Sequence, residues 1–313
     1  MKTALLFPGQ GSQYVGMGQA LWEASPDVRE LFRAGSDILG FDVEEICFRG
    51  PKERLNTTLY TQPVLFIVSV AVFRIFQEET TLPAAFVAGH SLGEYSALFA
   101  SGAVNAADCL ALVTRRGELM EREGEANPGG MRAVLGMTIE EIESLLGNYA
   151  GGGGVVVVAN HNSEKQVVIS GDMLGLDSFS TLCEQQGAKV VALNVSVANH
   201  SPLVAGAVDD FAAFMAGISF HPPAEPVIFN VTADRETDPE AIRNIMARQI
   251  ASRVRWDESV KRMLQDGVEL FIEAGPKKVL TGLMRKIIPK GMATCVQFDT
   301  PADLTKVIAE LGD

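Results

Sequence analysis

The sequence predicts an α/β protein in which a small domain is inserted into a larger one. Short apolar runs of strand length alternate with longer helical patterns along the chain. The segment 128–196 has the order β-α-β-β-α-β, which is typical of a ferredoxin-like unit. Larger α/β units then resume, so we expect one domain formed by residues 1–127 and 197–313, interrupted by a second domain of residues 128–196.

The first part of the chain is predicted to contain two strands and four helices. "TALLFPG" is a short strand that enters a glycine loop, and "AAFVAG" (84–89) is a buried strand by its length and flanking residues. The helices are expected over 17–39, 62–79, 92–100 and 106–122. The loop "GQGSQYVGMG" does not match a dinucleotide fingerprint, because Tyr14 occupies the place of the third glycine. No Gly-Lys-Ser/Thr follows it either, so a phosphate loop is also not predicted.

The inserted unit follows a break at "EANPGG" (125–130). Its four strands are "MRAVLGM", "VVVVAN", "QVVISG" and "KVVALNV". The helix "TIEEIESLLGNYA" opens with a capping box of Thr138 and Glu141, and Asp172 caps the helix "DMLGLDSFSTLCEQQGA". The tract "GGGG" (151–154) is predicted to be a loose hairpin or loop. Two further strands, "PVIFNVT" (226–232) and "ELFIEAG" (269–275), are expected to have helices around them.

Composition excludes several classes of function. The 313 residues carry a net charge of −13, which argues against nucleic acid as the main partner. The longest apolar run, "VLFIVSVAVF" (64–73), is too short to span a bilayer, and the first residues are predicted to form a strand rather than a signal peptide. Four cysteines lie far apart without a CxxC pair, so we expect a reduced, cytoplasmic protein with neither disulfides nor a metal site.

The strongest chemical motif is "GHSLG" (89–93), which matches the G-x-S-x-G pattern between a strand and a helix. Small neighbours allow a tight turn that lifts the Ser91 hydroxyl clear of the backbone. The backbone N–H of Leu92 could then donate to an oxyanion. The alternative is that Ser91 only caps the helix.

A nucleophilic serine needs a base, and four histidines are available. His90 is adjacent to Ser91, so its side chain should diverge from the hydroxyl. His221 lies in a proline-rich turn, and His161 lies at the end of a strand. His200 follows a strand and precedes Pro202, which places it on a loop at the edge where α/β sheets carry active sites. His200 is therefore the favoured base, with a structural core or surface histidine as the alternative.

Five motifs together resemble the malonyl-CoA:acyl carrier protein transacylases. They are "FPGQGSQ", "GHSLGEYSAL", an arginine in "RRGELM", "HSP" near residue 200 and "EAGPKKVLTGL", and the resemblance runs from residue 5 to about 288 in order. The family has an α/β-hydrolase-like domain with a parallel central sheet and a ferredoxin-like insertion. The resemblance therefore implies the same architecture as the pattern of strands and helices.

The resemblance implies a role for each matching residue. Ser91 would be the nucleophile that takes the malonyl group as an ester, and His200 its general base and later its acid. The backbone N–H of Gln10 would join that of Leu92 in the oxyanion hole. Gln249 would offer a carbonyl that orients the histidine, in place of the acid of an ordinary triad. Such a neutral partner should leave the imidazole less basic.

The substrate pocket follows from the same resemblance. Arg116 would pair with the free carboxylate of malonyl, so malonyl is expected to be preferred over acetyl; without the family, Arg116 would be interpreted as a surface arginine. Asn160 and Asn162 match asparagines near the bound acyl-pantetheine. Asn199 departs from the family's aromatic or serine before the histidine, which leaves the tolerance for an α-methyl group open. Lys277 replaces a common glycine, either as a solvated lysine or as a contact for the carrier protein or for CoA phosphates.

The resemblance implies ping-pong transfer from malonyl-CoA to a phosphopantetheinylated acyl carrier protein, without a bound cofactor. Two alternatives remain open: a hydrolase that edits carrier-bound acyl groups, and a non-catalytic docking subunit. Both partners of the transferase are anionic. Basic stretches at 243–262 and 277–290 could steer them, or could simply be solvated helix faces.

Overall fold

Short, mostly apolar and buried strands form the centre of the larger of two sheets. A computed structural model describes residues 1–149 and 154–312. Its large sheet contains six strands in the order β10-β9-β1-β2-β7-β8. Every pair is parallel except β7 with β8. The strands are β1 (Thr3–Phe7), β2 (Ala84–Gly89), β7 (Val227–Ile228), β8 (Arg235–Glu236), β9 (Leu270–Ala274) and β10 (Thr294–Phe298).

Helices cover both faces of this sheet, and two apolar clusters fill the space between the layers. The helices of the first part are α1 (Gln19–Ala24), α2 (Pro26–Leu39), α3 (Lys52–Leu55), α4 (Thr58–Glu79), α5 (Gly93–Ala100) and α6 (Ala106–Ala126), with a π-helical turn at Glu45–Arg49. The later ones are α9 (Ala207–Met215), α10 (Pro239–Gln249), α11 (Trp256–Gln265), α12 (Val279–Ile287) and α13 (Pro301–Gly312), with a 3-10 turn at Pro202–Val204.

Helix α4 is long and apolar enough to span a membrane by length and composition alone. Its most apolar window is 83% buried inside the protein, between the sheet and the neighbouring helices. A helix that is apolar on nearly all sides is typical of a protein core. We therefore interpret α4 as the central core helix.

The second sheet is antiparallel and is formed by residues 129–192. Its order is β4-β5-β3-β6, from β3 (Gly129–Leu135), β4 (Val156–Ser163), β5 (Gln166–Asp172) and β6 (Lys189–Ala192). Helices α7 (Ile139–Gly147) and α8 (Met173–Gln185) pack on it around their own apolar cluster. This order is that of a ferredoxin-like β-α-β-β-α-β unit, so the predicted fold class is confirmed. The domain boundaries stay a prediction.

Local predictions were less accurate than the fold class. The helix expected over 17–39 is two helices, because Ser25 caps the second by accepting from the Val28 N–H at 3.4 Å and Pro26 occupies its first turn. The strand expected over 226–232 is limited to Val227–Ile228. The predicted glycine loop at 151–154 lies outside the described residues except for Gly154.

Candidate active site

Ser91 lies at a sharp corner between β2 and α5, and its backbone has the left-handed φ of 52°. Such a φ is unfavourable for a residue with a Cβ and needs support from its surroundings. Buried Asn230 supplies that support. Its Oδ1 accepts from the Ser91 N–H at 2.7 Å, and its Nδ2 donates to the Gly89 carbonyl at 2.7 Å, so one side chain holds both ends of the corner.

Three glycines allow the corner to form, because a Cβ at any of them would overlap backbone atoms. A Cβ on Gly89 would lie 1.9 Å from the Gly93 carbonyl carbon, and one on Gly93 would lie 2.1 Å from the Phe7 carbonyl oxygen. A Cβ on Gly9 would lie 2.2 Å from the His90 carbonyl oxygen. The glycines of "GHSLG" therefore bring the strand, the helix and the "FPGQGSQ" loop into backbone contact.

His200 faces Ser91 across the site, with Nε2 2.9 Å from the hydroxyl oxygen. Its Nδ1 lies 3.1 Å from the Gln249 carbonyl oxygen and 2.9 Å from the Ser252 carbonyl oxygen. Since carbonyls only accept, Nδ1 carries the proton and the Nε2 lone pair faces Ser91. Burial, together with the Arg116 charge, lowers the pKa of His200 to about 3, so the imidazole is neutral near neutral pH.

Arg116 is almost completely buried and lies against the same hydroxyl. Its Nη2 donates to Ser91 Oγ at 3.1 Å, and both Nε (3.3 Å) and Nη2 (3.1 Å) donate to Gln249 Oε1. Burial lowers the pKa of the guanidinium, which the nearby Tyr95 and Glu94 partly oppose. A buried cation next to a reactive hydroxyl is suited to pair with an anionic group of the substrate.

The loop that follows β1 is fixed at each residue around Gln10. Gly9 O accepts from Ser12 Oγ at 2.8 Å, and the Gly11 N–H donates to Gln13 Oε1 at 2.6 Å. Lys277, whose role the sequence left open, donates from Nζ to the Gly11 carbonyl at 3.2 Å. The loop is therefore held rigidly beside the corner that carries Leu92 N–H.

The three predicted asparagines lie in different surroundings. Asn162 Oδ1 lies 2.8 Å from Nε2 of His90, so β4 of the small sheet is tied to the residue before Ser91. Within residues 1–149 and 154–312, the buried Oδ1 atoms of Asn160 and Asn199 have no hydrogen-bond partner. Unpaired buried acceptors near a site are candidates for ligand contacts. The roles of all three asparagines stay predictions.

A groove of about 520 Å³ leads to the Gln10 side of the corner. Its lining is mostly polar and comes from the loop after β1, the region around α3, helix α6 and the chain after β6: Gln10, Lys52, Glu53, Asn56, Thr57, Thr58, Glu121, Leu193, Asn194, Val195 and Ser196. Gln10 is one of these lining residues, whereas Ser91 is not.

Two residues that the sequence analysis missed hold the site together. Asn230 lies at the carboxyl end of β7, and Glu94 lies in the first turn of α5, with both side chains fully buried. The available signal for Asn230 was its place as a polar residue at the end of an apolar strand. The signal for Glu94 was an acid three residues after Ser91. Neither signal shows which way a side chain points, so the contacts could not be predicted.

The fold and site define a class of α/β proteins with a Ser–His pair at a strand–helix corner, in which backbone carbonyls rather than a carboxylate orient the histidine. A family model described as an acyl transferase domain matches residues 4–297. The chain belongs to this family and is an acyltransferase by class.

Named relatives cover almost the whole chain. The malonyl CoA-acyl carrier protein transacylase of Salmonella typhimurium is 40% identical over 308 residues, which are 98% of this chain and 99% of the relative. An acyl carrier protein S-malonyltransferase from Vibrio cholerae has a solved structure with a TM-score of 0.93 and 41% identity, covering 98% of this chain and 100% of the other. A further solved structure contains a malonyl-transacylase in complex with its type II acyl-carrier protein. It has a TM-score of 0.94 and 37% identity, covering 99% of this chain and 100% of the other.

Proposed function

We propose that this chain transfers a malonyl group from malonyl-CoA to the phosphopantetheine thiol of an acyl carrier protein through an ester on Ser91. The observation that carries the proposal is the position of Ser91 Oγ, 2.9 Å from His200 Nε2 and 3.1 Å from Arg116 Nη2. One hydroxyl thus has both a base and a cation within contact. The names of the relatives at about 40% identity support the same activity.

In the first half-reaction, Ser91 Oγ attacks the thioester carbonyl carbon while His200 Nε2 takes the hydroxyl proton. The oxyanion accepts from the backbone N–H groups of Gln10 and Leu92. The C–S bond then breaks, and the imidazolium returns its proton to the departing sulfur of CoA. The malonyl ester of Ser91 remains.

In the second half-reaction, the carrier thiol gives its proton to His200 Nε2 and its sulfur attacks the ester carbonyl. The bond between the carbonyl carbon and Ser91 Oγ breaks, and Oγ recovers the proton from the imidazolium. The neutral carbonyls of Gln249 and Ser252 orient this ring without adding a negative charge. Proton transfer of this kind contributes roughly 10²–10⁴ in rate.

Arg116 accounts for the choice of acyl group. The free carboxylate of malonyl can accept two parallel hydrogen bonds from the guanidinium, whereas acetyl would leave a buried cation unpaired. Coenzyme A enters as part of the substrate, so the proposed chemistry uses no bound cofactor. The four cysteines are free thiols, which suits a cytoplasmic location.

Acyl-enzyme trapping tests the proposal. The chain is incubated with radiolabelled malonyl-CoA and quenched, and we expect label on wild type, none on Ser91→Ala, and normal label on Ser144→Ala, an exposed serine of α7. Holo carrier protein should then remove the label as malonyl-carrier. Label on Ser91→Ala would disprove the nucleophile. Label that is lost to water without the carrier would indicate the editing hydrolase. The absence of label on wild type would indicate a docking subunit.

A further inference from the structure

Glu94 is a fully buried acid that the proposed chemistry does not use. Its Oε1 accepts from the Asn230 backbone N–H at 2.7 Å, and its Oε2 accepts from Gln249 Nε2 at 2.6 Å. Above its pKa of about 7 the Glu94 carboxylate is ionised and only accepts hydrogen bonds, and both partners here are donors. A buried charge is costly unless it is fully paired, so this arrangement calls for a role beyond packing.

The contact with Glu94 fixes the orientation of the Gln249 amide. Nε2 of Gln249 donates to Glu94 and to the Ser91 carbonyl at 2.8 Å, while Oε1 accepts from Nε and Nη2 of Arg116. The two ends of an amide have nearly the same shape, so only the hydrogen-bonding partners distinguish them. Here Glu94 and the Ser91 carbonyl offer only acceptors to the Gln249 NH₂, and Arg116 offers only donors to the Gln249 Oε1.

We propose that Glu94 is a positioning residue that sets the preference for acyl groups bearing a free carboxylate. Its carboxylate turns the side-chain amide oxygen of Gln249, Oε1, toward Arg116. That oxygen in turn holds the guanidinium in line with Ser91 Oγ. This inference rests on the proposed malonyl transfer, because it concerns the group that would bind the malonyl carboxylate. Glu94 touches neither the substrate nor the reacting atoms.

Replacement of Glu94 by glutamine should disturb the hydrogen bonds that link Glu94, Gln249 and Arg116, while the side-chain volume stays almost the same. The Asn230 N–H still needs an acceptor, so the new amide would place its NH₂ against Gln249 Nε2. Gln249 can escape this donor–donor contact only by rotating its amide. Its NH₂ then faces Arg116, which must move away.

The test compares acyl-enzyme formation from malonyl-CoA and acetyl-CoA in wild type and Glu94→Gln. We expect the malonyl-to-acetyl ratio of kcat/KM to fall about tenfold or more, mostly through a higher KM for malonyl-CoA, since a misplaced polar partner weakens selectivity strongly. Reaction with acetyl-CoA should change little. An unchanged ratio in folded Glu94→Gln would overturn the inference.

Glu273→Gln is the matched control. Glu273 is equally buried and accepts from the Leu280 and Thr281 backbone N–H groups, at 2.9 and 2.7 Å, away from Ser91. Its substitution should lower stability without changing the substrate ratio. Equal losses of selectivity in both variants would show that Glu94 acts only through general stability, and would overturn the inference.

A second variant covers the case in which Glu94→Gln does not fold. Gln249→Met removes the amide but keeps the backbone carbonyl that faces His200, and it should show the same loss of malonyl selectivity. In the double variant the losses should not add, because both substitutions break one chain of contacts. Retained selectivity in Gln249→Met would overturn the inference. Wild type that takes no malonyl label would instead refute the proposed function, and the inference with it.

Discussion

At the scale of single residues, the site depends on two strained backbone positions. Ser91 and His200 both have left-handed backbones, with φ of 52° and 59°. The Ser91 N–H donates to Asn230 Oδ1, and the His200 N–H donates to the Ile250 carbonyl at 3.0 Å; these hydrogen bonds hold the two residues there. Strain of this kind persists where the surroundings impose it, and it aims both side chains at one point.

The low pKa of His200 predicts a pH-dependent difference in stability. The folded imidazole stays neutral down to about pH 3, whereas in the unfolded chain it takes a proton below about pH 6.5. Stability from this group is therefore present above pH 6.5 and is lost as the pH falls toward 3. Relative to His200→Asn, wild type should lose on the order of 2 kcal/mol between about pH 7.5 and 5.

Urea unfolding of both proteins at the two pH values measures this difference. Burial raises the pKa of Glu94 to about 7, so its carboxyl favours the folded state at low pH and loses that contribution as the pH rises toward 7. Because Glu94 is present in both proteins, its effect cancels in the comparison. A difference that does not change with pH would contradict the neutral, buried imidazole.

At the scale of elements, the active corner requires a strand and a helix to meet without side chains between them. The same requirement extends to the loop after β1, which brings Gln10 beside the corner. The helix that follows the corner begins at Gly93, and its first N–H groups donate back to the carbonyls of His90, Ser91 and Leu92. The site is therefore built by close backbone packing more than by any one side chain.

Gly89→Ala tests this close packing. Its Cβ would lie 1.9 Å from the Gly93 carbonyl carbon, so β2 and α5 must separate. We expect destabilisation of about 3 kcal/mol or more, together with loss of acyl-enzyme formation. Thermal unfolding and malonyl labelling measure the two effects.

Gly282→Ala is the control for the same substitution at an exposed position of helix α12. No atom lies within 4 Å of the added Cβ, so alanine should stabilise α12 by about 0.5–1 kcal/mol and leave labelling unchanged. If Gly89→Ala behaved like Gly282→Ala, the proposed backbone contact at the corner would be wrong.

At the scale of the whole molecule, the two basic stretches differ in a way that the sequence did not show. Five of the six cations in 243–262 form ion pairs with neighbouring acids: Arg243, Arg253, Arg255, Lys261 and Arg262. In the part of the chain that the structure describes, none of the five cations in 277–290 forms one. Of the two stretches, 277–290 is therefore the one whose cations are not paired with acids, in a chain with a net charge of −13.

This distribution predicts where an anionic carrier protein is steered. The double variant Arg285→Gln/Lys290→Gln should raise the KM for the carrier about tenfold at low salt. Both side chains are exposed and, within the described residues, form no ion pair. The pair Arg253→Gln and Lys261→Gln makes the same change in net charge and should have a much smaller effect. Salt near 0.5 M should remove most of the difference. Equal effects of the two pairs would exclude local steering by 277–290.

The sequence by itself determined the fold class and the order of the elements in the inserted unit, whereas the edge strands β8 and β10 of the large sheet were not predicted. Period-two and period-3.6 apolar patterns, the capping box at Thr138 and Glu141, and the order of strands in 128–196 are all local features, so one sequence displays them. Ser91, His200 and Arg116 were selected by motif and resemblance, and the structure places them in contact. Their catalytic roles stay predictions.

Only the tertiary structure decided which polar groups face one another. Ser91 is separated from Gln249 by 158 residues and from Asn230 by 139, yet it is hydrogen-bonded to both. Glu94 has no distinguishing sequence signal beyond its place in α5, and the ion pairs of 243–262 depend on neighbours such as Glu143 in helix α7 of the inserted unit. Such contacts follow from how strands and helices pack across the chain, because hydrogen bonds and ion pairs depend on distance in space, which local sequence patterns do not record.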